Sequence, residues 1–187
     1  MDSATTLGLA SIAATVVLAV LFRWLDRRHR FVFKWRRVLS GVRKLRDQIR
    51  LAGFEPALIL TFPGGGLIVA DLLVQRWNRE TPICSLSTKR LEEHGARAVQ
   101  LDGSLLRTGS LRGRKVLVVD DVLQTGATIS KTIGFLVSDC GVKRDDIRVA
   151  VLAKPRSPTV LRPDFAVFEI DYSTNRPRLP WGEVPVD

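Results

Sequence analysis

The segment Val116–Ser130, with the sequence VLVVDDVLQTGATIS, constrains the fold more than any other part of the chain. Its first four residues are apolar and mostly β-branched, which is typical of a strand buried on both faces of a parallel sheet. Two carboxylates, Asp120 and Asp121, follow directly and lead into a loop of small and polar residues. The apolar positions 129, 133, 136 and 137 then recur at helical spacing. This order of strand, acidic pair, loop and helix predicts an α/β fold.

The loop between the predicted strand and helix has the composition of a phosphate site. Ligands of open α/β sheets bind outside the carboxyl ends of the strands, and the first N–H groups of a helix favour an anion. Gly126 permits close backbone approach, while Thr125 and Thr128 add hydroxyl donors. Asp120 and Asp121 would repel a phosphate, but they can accept hydrogen bonds from sugar hydroxyls or help to hold a hydrated Mg²⁺. The segment therefore predicts a ribose 5-phosphate site. The alternative is an acidic helix cap before an ordinary strand–helix turn.

The sequence VLVVDDVLQTGAT closely resembles the phosphoribosyl pyrophosphate (PRPP) signature of the type I phosphoribosyltransferases. The resemblance covers most of residues 35–187. It implies an α/β fold with a central, mostly parallel twisted sheet, flanking helices and a small hood at about 163–187. It also implies that Asp120 and Asp121 contact the ribose hydroxyls and that the following loop binds the 5-phosphate. The residues of that loop are Thr125, Gly126, Ala127 and Thr128.

The N-terminal residues 5–22 carry no charge and are mostly Ala, Val, Leu and Ile. Eighteen helical residues span about 27 Å, close to the thickness of a bilayer's hydrocarbon core. Asp2 precedes this segment and basic residues follow it from Arg23 onward, so the positive-inside rule places the short N-terminus outside and the domain in the cytoplasm. We therefore predict a single-pass membrane protein with an anchor at 1–25, a basic linker at 26–34 and a phosphoribosyltransferase-like domain at 35–187. A buried core helix is the alternative.

The net charge of +10 does not by itself indicate a nucleic-acid partner. Eleven of the 29 basic residues lie between Arg23 and Arg50, directly after the apolar segment, as in a cytoplasmic juxtamembrane region. No nucleic-acid partner is expected, because the sequence shows no segment in which aromatic and basic residues alternate to form a binding surface. Cys84 and Cys140 have no CxxC partner, which argues against a metal site or a disulfide framework.

Two segments before the signature fit the pyrophosphate half of such a site. A predicted strand at 57–62 leads into a glycine turn, whose backbone N–H groups can bind pyrophosphate. The resemblance places the family's pyrophosphate loop at Gly64 and Gly65, with Gly64 in the position of a basic residue. The polar, aperiodic stretch Ser87–Arg97 predicts a mobile loop. The resemblance equates this stretch with a lid over the pyrophosphate, and an ordinary exposed loop is the alternative.

The base half of the site rests on the resemblance alone. The predicted strand Ile147–Ala153 ends in LAKP, which resembles the xanthine–guanine phosphoribosyltransferases and implies that Lys154 contacts a purine oxo group. A surface lysine closing the strand is the alternative. The terminal Leu-Pro-Trp at 179–181 resembles the end of the hood in the same subgroup, which makes Trp181 a base-binding candidate.

Two positions in this half depart from the family pattern. Gln124 stands where the purine enzymes have an aspartate near N7 of the base, and a glutamine cannot serve as a general base. Arg176 stands at the position of a base-stacking tryptophan, although a guanidinium can also stack on a base.

The resemblance implies a membrane-anchored enzyme that transfers the 5-phosphoribosyl group of PRPP to a purine-like nucleobase and releases pyrophosphate. The predicted catalytic residues are Asp120, Asp121 and Gln124, with Mg²⁺ held by the two aspartates, directly or through water. The expected partners are PRPP, a nucleobase or nucleotide, and the membrane through residues 5–22, and a homo-oligomer is left open. The alternative is a non-catalytic sensor of PRPP or a nucleotide at the membrane.

Overall fold

The computed structural model of the protein describes residues 15, 18, 30–77, 80–93, 96–102, 111–172 and 176–183. In chain order, the helices and strands from residue 30 onward are β1 (Arg30–Val32), α1 (Trp35–Leu51), β2 (Leu58–Thr61), α2 (Gly65–Val74), β3 (Ile83–Ser85), β4 (Ser87–Glu93), β5 (Ala96–Asp102), β6 (Val116–Val122), α3 (Ala127–Ser138), β7 (Ile147–Pro155), β8 (Phe165–Ile170), β9 (Arg176–Leu179) and β10 (Gly182–Glu183). A single 3₁₀ turn, Arg144–Asp146, precedes β7.

The centre of the fold is a five-stranded sheet with the strand order β3-β2-β6-β7-β8. Every neighbouring pair in it is parallel, with β6 between β2 and β7. The strand order reverses direction between β2 and β6, so their carboxyl ends form the edge where an open α/β sheet binds its ligands. This architecture confirms the α/β class that the uninterrupted apolar run in β6 predicted.

Helices cover both faces of this sheet, which explains why β6 has no polar alternation. Leu117 and Val119 pack with the apolar stripes of α1 and α2, while Val116 and Val118 pack with α3 on the other face. Helix α1 lies close to the sheet because Gly41 has no side chain. A Cβ atom there would come within 2.6 Å of Leu152 Cδ1.

A second, three-stranded sheet joins the strand before α1 to the C-terminal strands. β1 pairs in parallel with β9, and β10 pairs antiparallel with β9. The backbone N–H of Phe33 extends this pairing by donating to the carbonyl oxygen of Arg178 at 2.8 Å. Residues 30–32, predicted as linker, therefore form a strand. Conversely, β8 belongs to the central sheet, although residues from 163 onward were predicted to form the hood.

The stretch Ser87–Arg97, predicted as a mobile loop, lies instead in an antiparallel hairpin. β4 and β5 pair in register from Ser87 opposite Asp102 to Glu93 opposite Ala96. A two-stranded ribbon outside the central sheet need not bury a face, so polar composition does not prevent the backbone pairing. Residues 94 and 95, which separate the two strands in the sequence, lie outside the described residues.

No helix within the described part of the chain is long and apolar enough to cross a bilayer. Nearly all of the apolar segment 5–22 lies outside that part. The anchor at 1–25 and the orientation across a membrane therefore stay predictions.

Candidate active site

The acidic pair lies among the last three residues of strand β6, and both side chains accept hydrogen bonds from backbone N–H groups. Asp120 Oδ1 accepts from the N–H of Asp121 at 2.9 Å, and Asp121 Oδ1 accepts from the N–H of Val122 at 2.8 Å. Both side chains are partly buried. Each carboxylate therefore has one oxygen fixed by the neighbouring amide.

The glycine turn lies directly against this pair. A Cβ atom at Gly65 would overlap Asp121 Oδ2, and one at Gly66 would lie 2.9 Å from Asp120 Oδ1. Gly64 has a φ of 97°, a conformation that favours glycine. The positive end of the α2 dipole therefore lies beside the carboxylates. The structure thus brings together two motifs that the sequence treated as separate parts of one site.

The remaining oxygen of Asp121 accepts a hydrogen bond from the C-terminal sheet. Trp181 Nε1 donates to Asp121 Oδ2 at 2.9 Å. The ring of Trp181 packs edge-on against that of Trp35, with 5.8 Å between ring centroids. Trp181, predicted to bind the base, thus has its polar atom on the acidic pair, and Trp35 had not been considered as a neighbour of the site.

The two neighbouring carboxylates set the electrostatics of the site. Burial, followed by repulsion from Asp121, raises the pKa of Asp120 well above its ordinary value near 3.8. Burial, followed by the charges of Asp121 and Asp120, also raises the pKa of the Tyr172 hydroxyl. The two carboxyl groups therefore lie close together in a partly desolvated place, where a neighbouring cationic group would favour their charged forms.

The predicted phosphate loop begins helix α3. Gly126 caps the helix in the left-handed conformation, with a φ of 84°, and has no side chain with which to make a capping hydrogen bond. The hydroxyl of Thr125 accepts a long hydrogen bond of 3.4 Å from the N–H of Ala127. A Cβ atom at Gly126 would lie 2.8 Å from Leu161 Cβ. Glycine is therefore required by the backbone conformation and by contact with Leu161.

A pocket of about 340 Å³ adjoins this loop. Tyr172 lies in its wall and donates its hydroxyl hydrogen to the carbonyl oxygen of Leu123 at 3.0 Å. The sequence reasoning missed Tyr172, although its position just after β8 placed it at the carboxyl edge of the sheet. The residues lining the pocket are Gln124, Thr125, Pro155, Ser157, Pro158, Thr159, Val160 and Tyr172.

The other two base-binding candidates, Lys154 and Arg176, are not among the described residues that line this pocket. Lys154 Nζ forms an ion pair with Glu169 Oε1 at 3.1 Å, and it lines a different groove together with residues 162–169. For Arg176 only the backbone is described, and it pairs with Arg30 in the small sheet. The roles of Lys154 and Arg176 in base recognition stay predictions.

The comparison with protein families identifies the family to which this chain belongs. A family described as the phosphoribosyl transferase domain matches residues 32–180, which include the acidic pair, the glycine turn and the phosphate loop. The chain belongs to the phosphoribosyltransferase family. No curated protein matches the chain significantly.

Solved structures of this fold include purine phosphoribosyltransferases. A purine phosphoribosyltransferase from Pyrococcus horikoshii is 26% identical, with a TM-score of 0.70, and the match covers 85% of this chain and 98% of that one. A xanthine-guanine-hypoxanthine phosphoribosyltransferase from Helicobacter pylori is 14% identical, with a TM-score of 0.65 and coverages of 81% and 92%. A hypothetical protein from Neisseria gonorrhoeae, solved with bound ppGpp, is 22% identical, with a TM-score of 0.62 and coverages of 80% and 86%.

Proposed function

We propose that this phosphoribosyltransferase transfers the 5-phosphoribosyl group of PRPP to a purine-like nucleobase and releases pyrophosphate. The observation that carries the proposal is the contact between the acidic pair and the glycine turn, with the phosphate loop following on the same strand–helix unit. A phosphate site, a pair of carboxylates for sugar hydroxyls and a backbone turn for pyrophosphate are the three parts that PRPP requires. The match to a 26% identical purine phosphoribosyltransferase supports the purine class of acceptor.

In the proposed complex each part of PRPP has a place. The 5-phosphate binds at the N-terminus of α3, the ribose hydroxyls bind Asp120 and Asp121, and the pyrophosphate lies over Gly64 and Gly65. The bond from C1 of ribose to the pyrophosphate oxygen breaks with its electron pair on oxygen, and a bond from C1 to a base nitrogen forms. The base gives up its N–H proton to solvent, because the amide of Gln124 cannot accept it. Positive charge on the sugar in the transition state is stabilised by the nearby carboxylates.

The acceptor base fits the pocket beside the phosphate loop. The volume of this pocket, about 340 Å³, and its lining of proline, valine and tyrosine side chains suit a planar heterocycle. Gln124 can donate and accept hydrogen bonds with such a base.

Magnesium is proposed as the cofactor. Among the described residues, no three His, Cys, Asp or Glu side chains cluster to hold a metal ion. The two aspartates supply oxygen atoms, which suits a cation that keeps several waters and binds through substrate phosphates. Asp120 and Asp121 would hold it, directly or through water, and the ion would neutralise charge on the departing pyrophosphate.

Membrane attachment through residues 5–22 is part of the proposal and is supported by their apolar composition and by the basic residues that follow. We expect the full-length protein to sediment with membranes, to resist extraction by high salt and carbonate, and to be released by detergent. A variant with three leucines of this segment replaced by aspartates should lose that attachment. Recovery of the wild-type protein in the soluble fraction without detergent would contradict the anchor.

The transfer reaction is tested by measuring pyrophosphate release from PRPP with a panel of purines and pyrimidines. We expect release with a 6-oxopurine, and we expect Gln124→Asp to increase it by part of the ~10²–10⁴-fold that a general base contributes. Gln124→Glu is the control. Its side chain is one methylene longer than that of the Gln124→Asp variant, so it places the carboxylate at a different distance from the base. If neither wild type nor Gln124→Asp releases pyrophosphate with any base while both bind PRPP, the transferase proposal fails.

A second candidate function is binding without turnover, as a sensor of PRPP or of a guanine nucleotide such as ppGpp. The observation in its favour is Gln124, which cannot serve as a general base at the position where the resemblance places an aspartate. The Neisseria gonorrhoeae structure with bound ppGpp shows this fold holding a nucleotide. The pyrophosphate assay separates the two candidates, because a sensor binds its ligand and releases no pyrophosphate.

A further inference from the structure

We propose that Trp181 is a positioning residue that fixes the carboxylate of Asp121 for the ribose of PRPP, a role that rests on the proposed function of the acidic pair. The inference starts from the donors around that carboxylate. Asp121 Oδ1 accepts from the N–H of Val122, and Asp121 Oδ2 accepts from Trp181 Nε1 at 2.9 Å. With a donor on each oxygen, the carboxylate plane has one favoured orientation.

The glycine turn leaves room for this hydrogen bond. A Cβ atom at Gly65 would overlap both Asp121 Oδ2 and Trp181 Nε1, the two atoms that the bond joins. Any other residue at position 65 would therefore have to displace the donor or the acceptor. Gly65 serves the acidic pair in this way in addition to presenting its backbone to pyrophosphate.

The indole reaches Asp121 because the small sheet holds it there. Trp181 lies at the turn between β9 and β10, and the buried side chain of Leu179 anchors the end of β9 in the core. β1 pairs along β9, and the N–H of Phe33 donates to the carbonyl oxygen of Arg178. The ring of Trp35, at the start of α1, supports the indole from its edge. Residues 30–35, at the end of the predicted basic linker and the start of α1, therefore help to set the position of Asp121.

A bond between an indole N–H and a carboxylate is charge-assisted, so its loss is expected to be measurable. Trp181→Phe removes the donor and keeps an aromatic ring against Trp35. Trp77→Phe makes the same chemical change in the turn after the C-terminus of α2 and is the matched control. We expect Trp181→Phe to weaken PRPP binding, measured by calorimetry on the full-length protein in detergent, by roughly tenfold. Trp77→Phe should change it by less than about twofold.

The indole itself gives a readout that needs no substrate. In ¹⁵N-labelled full-length protein, the Nε1–H resonance of Trp181 is identified by its disappearance in Trp181→Phe. We expect Asp121→Asn to shift this resonance, because the acceptor loses its charge, and we expect Asp71→Asn, on the exposed face of α2, to leave it in place.

The inference requires both results. It is overturned if the indole resonance does not respond to Asp121→Asn, or if Trp181→Phe binds PRPP as tightly as wild type does. Failure of the transferase proposal looks different, since pyrophosphate release would be missing from wild type while the resonance shift and the PRPP affinities keep their expected values. Should wild type not bind PRPP, the proposed function and the role of Trp181 toward the ribose both fail, and the indole shift then tests only the hydrogen bond between Trp181 and Asp121.

Discussion

Asp121→Asn and Asp120→Asn should each lower turnover on the order of 10²-fold while weakening PRPP binding far less. The substitution keeps the size of the side chain and an oxygen acceptor, but it removes the negative charge beside the ribose. Positive charge on the sugar develops only in the transition state, so the lost stabilisation falls on kcat rather than on the affinity for PRPP. Single-turnover rates and calorimetric affinities for PRPP measure the two quantities separately.

The control for this prediction is Asp71→Asn, which changes an exposed carboxylate on α2 and should leave both quantities near wild type. An equal loss of rate and affinity in the Asp120 and Asp121 variants would mean that the charge acts on the ground state alone. That result would remove the electrostatic role assigned to the acidic pair.

Asp120→Asn, which should lower turnover, should at the same time increase the stability of the folded protein. Since burial and Asp121 raise the pKa of Asp120, the folded protein keeps the proton of Asp120 at pH values where the unfolded chain has lost it. The stability contributed by this residue is therefore present below a pH of about 3.8 and declines as the pH rises toward the raised value. At neutral pH Asp120→Asn should raise the unfolding temperature while it lowers turnover.

Gly126→Ala should destabilise the protein and weaken PRPP binding, whereas Gly134→Ala should do neither. At Gly126 the backbone has a φ of 84° and an added Cβ would lie 2.8 Å from Leu161 Cβ. The left-handed conformation alone costs an L-residue about 1–2 kcal/mol, and the contact with Leu161 adds to it. Relief of either strain would move the first turn of α3 away from the 5-phosphate.

Gly134 provides the matched control because it lies inside the same helix and an added Cβ would meet nothing within 4 Å. Alanine there should stabilise the helix by up to about 1 kcal/mol. The two variants should thus shift the midpoint of urea unfolding in opposite directions. If Gly126→Ala folds and binds PRPP as well as wild type does, the phosphate does not bind at the start of α3.

The local parts of the site could be predicted from the sequence because their residues are contiguous. Strand β6, the acidic pair and helix α3 occupy one unbroken stretch, so hydrophobic pattern and residue type alone indicated their order. The glycine turn between β2 and α2 could be predicted for the same reason. The parallel sheet then follows from physical rules, since strands that alternate with helices pair in parallel and collect their ligand loops at one edge.

The tertiary structure decided how distant segments meet. No local pattern indicates that Arg30–Val32 pairs with β9, because three residues carry little preference of their own and the pairing partner lies at the other end of the chain. The same holds for Lys154, whose partner Glu169 comes from the neighbouring strand. The pairing of β4 with β5 is local, but the polar composition of the two strands concealed it. Sequence by itself determined the α/β unit that carries the proposed phosphate and ribose contacts, since those residues are held by their own strand and helix. Only the tertiary structure placed Trp181 on Asp121, because that hydrogen bond depends on backbone pairing between segments from opposite ends of the chain.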